Sequence, residues 1–189
     1  MKNHYIKILF SIKKLMSFVL VFRISMCEIF RKLDLTNEIK ITINGKGTQS
    51  FLYSQYSFRP DTILIDGNSY TINSQNKISN LQNEKNIITM KWNNKLTDCS
   101  KMFLNLSNII EIDLSNFDSS NVNNMESLFD GCKNLKKINM NNIFDTSKVT
   151  NMNYMFSYCE SLESLDLSNF NTVSVGSFGY MFLNCISLS

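Results

Sequence analysis

Few side chains in this 189-residue chain could do chemistry, and their spacing is unusual. The only histidine is His4, so any role that needs an imidazole base or ligand has one candidate, at the extreme N-terminus. If that segment is removed, Ser-His-Asp and Cys-His arrangements are excluded from the mature chain. Cys132, Cys159 and Cys185 stand 27 and 26 residues apart. Zinc-ligating pairs usually lie about two to four residues apart, so the three read as a column of small buried side chains. A disulfide between neighbours in that column stays open if the compartment is oxidising. The six glycines are scattered and build no phosphate-cradling loop. The inventory assembles no catalytic constellation, and neither an enzyme nor a cofactor or metal site is expected. Asn105-Leu106-Ser107 is an N-glycosylation sequon, of use only in a eukaryotic secretory route.

The remaining candidates for recognition are polar residues that alternate with apolar ones. Glu111, Asp113 and Ser115 form one such set, Lys137, Asn139 and Asn141 a second, and Ser164, Asp166 and Ser168 a third. On strands each set would point to one face, and side by side they make a polar grid. That grid is the candidate partner-binding face; the plain alternative is an ordinary solvated sheet.

The elements that position these residues come from a repeat. Phe103, Phe129, Phe156 and Phe182 are 26, 27 and 26 residues apart, and Ile109, Leu135, Leu162 and Leu188 keep the same intervals. Leu106 takes the place of the cysteine in the first unit. A fixed period of this size means stacked structural units. Met152, Met155, Phe156 and Cys159, like Met125, Leu128, Phe129 and Cys132, fall at i, i+3, i+4 and i+7, one face of a short helix. Thr150, and Asn123 with Glu126, stand where N-caps would. After the cysteine the period changes to two, as in Leu165-x-Leu167, which predicts a short strand. A single insertion at Ile143 explains the 27-residue step. Burying an apolar side chain stabilises by ~1.5–3 kcal/mol, while ordering one backbone residue costs ~1–2 kcal/mol. A lone unit is therefore unstable, and stacking is required. The expected fold class is α/β: a solenoid with one short strand plus one short helix per ~26 residues, its strands in a parallel sheet, preceded by a small β-rich capping region.

That region spans residues 36–95. Ile39, Ile41 and Ile43 alternate with polar residues before Asn44-Gly45, Asp66-Gly67 is hairpin chemistry, and Ile87 to Trp92 reads as a last strand. Trp92, the only tryptophan, is expected as a core anchor at the junction. The repeat array covers 96–189 as three and a half units, the last without its strand, which leaves an end open to pair with further repeats or another chain. Residues 1–27 have the order of a secretory signal: basic from Lys2 to Lys14, apolar from Leu15 to Phe22, then small residues Ser25 and Cys27. The apolar run is far short of the ~20 residues that span a bilayer. The alternative is an amphipathic helix kept in place on an intracellular scaffold module. Seven of the 19 basic residues lie in the first 32, leaving 12 basic against 15 acidic residues beyond them. Such a body is a poor partner for nucleic acid.

The pattern L-x-x-L-x-L-S-N-F, with M-x-x-M-F-x-x-C ahead of it and D-x-S-x-V behind, resembles the 26-residue surface-protein repeat of the BspA-like leucine-rich-repeat family over roughly Asn86 to Ser189. The resemblance implies a leucine-rich-repeat fold. It also implies a secreted or cell-surface protein used in adhesion or protein binding, with host or matrix surfaces among the partners. It brings no catalytic residues.

Overall fold

The computed structural model describes residues 37–71, 75–141 and 144–189. The expected signal segment 1–27 and the inserted Ile143 lie outside them. Eight strands form: β1 (Asn37–Asn44), β2 (Gly47–Ser50), β3 (Thr62–Ile65), β4 (Asn68–Tyr70), β5 (Lys77–Leu81), β6 (Lys85–Trp92), β7 (Ile109–Asp113) and β8 (Lys137–Asn139). Six of them make one sheet in the order β4-β3-β6-β1-β7-β8, and β2 pairs with β5. All pairs are antiparallel except β7 with β8, which run parallel.

Alternation explains the sheet. Ile39, Ile41 and Ile43 of β1 are fully buried, with Ile88 and Met90 of β6 and Ile112 of β7 on the same side. Glu38, Lys40 and Thr42 point to the other side, as a period of two requires. Asp66 and Gly67 both have positive φ, 49° and 83°, and turn β3 into β4 as a tight hairpin. Trp92 is buried, and its indole N–H donates to the Phe58 carbonyl at 2.8 Å.

The expected α/β solenoid is corrected by this structure. Among the described residues there is no helix, and the architecture is all-β, with a mixed rather than a parallel sheet. The segments with helical spacing are runs of turns. Each contains two residues of positive φ, four apart: Lys101 and Asn105, Ser127 and Gly131, Tyr154 and Tyr158, Tyr180 and Asn184. A right-handed helix excludes such angles. Every second N–H leaves its own unit instead. Cys99, Lys101, Phe103 and Asn105 donate to the carbonyls of Asn124, Glu126, Leu128 and Asp130; Met125, Ser127, Phe129 and Gly131 donate to Asn151, Asn153, Met155 and Ser157. The residues between close local turns, as in Met102 N–H to Cys99 and Leu106 N–H to Phe103. The expected caps at Asn123 and Thr150 do not form: the Thr150 N–H and hydroxyl donate to the Asn123 carbonyl at 2.9 and 3.0 Å, and the next residues make Asx turns instead, the carboxamides of Asn124 and Asn151 accepting from the N–H groups of Glu126 and Asn153 at 3.1 and 3.0 Å. The third predicted strand, 162–167, does not form, although Leu162 is buried.

Packing follows the register of the repeat. Phe103, Phe129, Phe156 and Phe182 stack ring on ring, with centroids 5.9, 5.5 and 5.5 Å apart, within the range of favourable offset stacking. The thiols of Cys132, Cys159 and Cys185 each donate to the carbonyl of the phenylalanine one unit back, Phe103, Phe129 and Phe156, at 3.1, 3.3 and 2.9 Å. The front of the stack is covered by the segment after β2. Tyr53 N–H donates to the Met102 carbonyl at 2.9 Å, and the Tyr56 hydroxyl donates to the Asp98 carbonyl at 3.0 Å. Burial pushes the Tyr56 phenol far above its ordinary range. These two tyrosines supply donors where a preceding unit would have supplied its own.

Candidate functional site

The outward face of the large sheet carries the polar residues singled out by alternation, together with others that arrive from the first half of the chain. Register sets who meets whom. Thr42 lies opposite Glu111 and Lys40 opposite Asp113 across β1 and β7. Glu111 lies beside Lys137 and Asp113 beside Asn139 across β7 and β8. Ile87 lies opposite Thr42 across β6 and β1. The result is a shallow groove of about 260 Å³ lined on this face by Lys40, Thr42, Ile87, Glu111, Asp113, Lys137 and Asn139.

The charges in this groove are held differently. Glu38, mostly buried at its edge, takes Lys40 at 3.1 Å and Lys91 at 2.9 Å. Burial alone would raise its pKa, but hydrogen bonds and attraction from Lys91 and Lys40 outweigh that and hold the carboxyl below its ordinary value. Asp113 is committed to structure: its Oδ1 accepts from Ser115 N–H at 2.9 Å and from Asn139 Nδ2 at 3.0 Å. Asn141 Nδ2 donates to the Ser115 carbonyl. Glu111 and Lys137 are exposed neighbours, yet neither makes an ion pair among the described residues. Ile87, about half exposed, ends the same row on the other side of Thr42. The groove therefore offers an anion, a cation and an apolar contact that internal structure does not consume.

Of the nine predicted face residues, four (Glu111, Asp113, Lys137 and Asn139) line this groove. Ser115 and Asn141 are joined by their hydrogen bond just beyond it. Ser164, Asp166 and Ser168 are exposed but lie outside any strand. The Asp166 carboxyl is held below its usual value by the hydrogen bond from Ser168 N–H at 2.9 Å. Lys40, Thr42 and Ile87 were missed. Their signal was present in the alternation of β1 and β6, but only the pairing of β1 between β6 and β7 carries them to the same face.

The sequon residue Asn105 is exposed, has φ of 59°, and holds its side chain against Gly131. No group of three or more His, Cys, Asp or Glu side chains fit to hold a metal occurs among the described residues. Nor, among them, is any helix long and apolar enough to cross a membrane.

Fold and face together describe an all-β protein with a stack of turn-built repeats and an open polar sheet face. The repeats have a counterpart among known sequences: residues 97–189 match a family model described as "Mycoplasma protein of unknown function, DUF285". That match spans the stacked units and none of β1 to β6. No curated protein and no solved structure matches the chain.

Proposed function

We propose that this chain is a non-catalytic protein-binding repeat protein, secreted or displayed at a cell surface, that makes adhesive contacts through the outward face of its sheet. The observation that carries the reading is the pair Glu111 and Lys137, adjacent in register, exposed and uncommitted, in a groove that also holds the half-exposed Ile87. Uncommitted opposite charges on one side of a groove and an apolar contact on the other give a partner orientation as well as contact. The resemblance of the repeat to BspA-like surface proteins and the basic-then-apolar order of residues 1–27 support the location.

The test uses immobilised matrix proteins and intact host-type cells as probes. The chain is expected to bind at least one of them. The charge exchange Glu111→Lys with Lys137→Glu should weaken that binding about ten-fold by loss of charge complementarity, with thermal unfolding unchanged. Asp113→Ala is a poorer test, since it also breaks the Ser115 and Asn139 bonds. Binding indifferent to the exchange, or absent from every probe, would refute the reading. N-terminal sequencing of the native protein tests the location: a start near residue 28 fits secretion, and an intact Met1 fits the intracellular scaffold alternative.

A further inference from the structure

The outward face of the large sheet is laid out so that it can meet itself. Its residues stand in registered rows across the strands. Thr42, Glu111 and Lys137 make one row across β1, β7 and β8, and Lys40, Asp113 and Asn139 make the next. The third unit extends both rows: Ser164 and Asp166 follow Lys137 and Asn139 by the 27-residue step of the repeat. That unit is stacked on the second by Phe170 against Phe144 at 6.0 Å and by the bond from Ser161 N–H to the Lys133 carbonyl at 3.1 Å. No strand forms there, yet Ser164, Asp166 and Ser168 are exposed while Leu165 and Leu167 are half-buried, so the alternation of the face persists.

Charge along these rows reverses about the line between β7 and β8. Glu111 stands on one side of that line and Lys137 on the other. One position further out, Lys40 stands on the β1 side and Asp166 on the side of the third unit. Glu111, Lys137 and Asp166 make no ion pair among the described residues. Lys40 holds Glu38 at 3.1 Å, but Lys91 holds the same side chain at 2.9 Å. Lys40 can therefore take a second anion without leaving Glu38 unpaired.

A surface with this reversal is complementary to its own copy. Place a two-fold axis in the interface, parallel to the strands and midway between β7 and β8. Each residue then faces the one that stands across that line, and every contact occurs twice. Glu111 faces the second copy's Lys137, and Lys40 faces the second copy's Asp166. Asp113 faces the amide of Asn139, and Thr42 faces Ser164, so no like charges meet along these rows. An axis running across the strands instead sets β7 on β7 and brings Glu111 over an acidic residue, Asp113 or Glu111 itself, which is repulsive. We infer that the face pairs with the same face of a second copy of this chain, through reciprocal Glu111–Lys137 and Lys40–Asp166 contacts. The inference rests on the adhesive reading of the face and names a partner for it. Exposed ion pairs are individually weak and screened by salt, so two free chains pair weakly. Many copies on facing surfaces multiply such contacts.

The test is sedimentation equilibrium of the full chain up to roughly millimolar concentration. A monomer–dimer equilibrium is expected, weaker by about ten-fold at high than at low salt. Glu111→Lys alone sets cation against cation, and Lys137→Glu alone sets anion against anion. Each should weaken self-pairing about ten-fold or more, with thermal unfolding unchanged because both side chains are exposed. Mixing the two single variants should restore pairing, now between unlike chains, since every central contact is again between opposite charges. Both exchanges in one chain should also keep self-pairing, within about three-fold of the unmodified chain. That last variant separates this inference from the reading it rests on: a foreign partner loses its charge match, whereas a second copy carries the exchange too. A chain that stays monomeric throughout, a dimer indifferent to the single changes, or a mixture that pairs no better than its components would overturn the inference. Loss of self-pairing in the double exchange would overturn it as well. Failure to bind matrix proteins or cells while self-pairing follows the charges would count against the foreign partner alone.

Discussion

Gly131→Ala separates a helix from a stack of turns by the sign of its effect. In a helix between Met125 and Cys132 the change would remove a flexible residue and stabilise by roughly 0.5–1 kcal/mol. In the structure Gly131 has φ of 75°, a conformation that costs an L-residue about 1–2 kcal/mol. The new Cβ would also stand 2.2 Å from Asn105 Oδ1 and 3.2 Å from Asn105 Cα. The amide can swing away, but the backbone atom cannot, and such crowding typically adds about 1–3 kcal/mol. The expected sum is a loss of about 2–5 kcal/mol. Urea unfolding should show a lower midpoint with unchanged slope, and each kcal/mol should lower Tm by roughly 2–4 °C in a chain of this size. Asn105→Gly in the same chain removes the side-chain contacts but leaves the Cα in place, so the double variant should recover only the side-chain part of the crowding and keep both the backbone part and the conformational cost. A neutral or stabilising Gly131→Ala would refute the turn geometry of the repeat.

Two further outcomes follow from the ionisable groups. Glu38 has its pKa lowered in the folded state, so its contribution to stability is present above the unfolded value of about 4.5 and is lost as pH falls through the lower folded value; Glu38→Gln should destabilise the chain at pH 7 and flatten the acid limb of its stability profile, and an acid limb identical to that of the unmodified chain would refute the pairing with Lys40 and Lys91. Burial raises the thiol of Cys132 to about 12 and that of Cys159 further, and raises those of Cys99 and the half-buried Cys185 as well. Because the thiolate is the reacting form, iodoacetamide at pH 8 followed by peptide mapping should modify Cys185 ahead of Cys99, Cys132 and Cys159, which should react only on unfolding; equal rates at Cys132 and Cys185 would contradict the packing of the column.

Much of the repeat was legible because burial follows residue type. The columns Phe103 to Phe182 and Leu106 to Cys185 are where the 26- and 27-residue intervals put them. The helix was not legible as an error because Met125, Leu128, Phe129 and Cys132 occupy one face under either geometry: successive three-residue turns and a helix both return to the same side after three or four residues. Asn105, Gly131 and Asn184 at the left-handed positions were the available warning, since those residue types tolerate positive φ. Lys101, Tyr154, Tyr158 and Tyr180 at equivalent positions concealed it. At the groove, Glu111, Asp113, Lys137 and Asn139 were legible from alternation, whereas Lys40, Thr42 and Ile87 required a pairing between strands far apart in sequence.

By itself, then, the sequence determined the register of this protein: the step from unit to unit, the residues that face inward, and the alternation that makes β1 and β6 two-sided. These depend on side-chain type and spacing, which the linear order states outright. Tertiary structure decided the backbone path within a unit and the order of the sheet. Whether an N–H bonds four residues back or across to the next unit depends on a neighbour 25 or 26 residues away being in place to receive it. That neighbour's carbonyls turn a helix-like spacing into a ladder of turns, and the insertion of β1 between β6 and β7 turns two polar stripes into one groove.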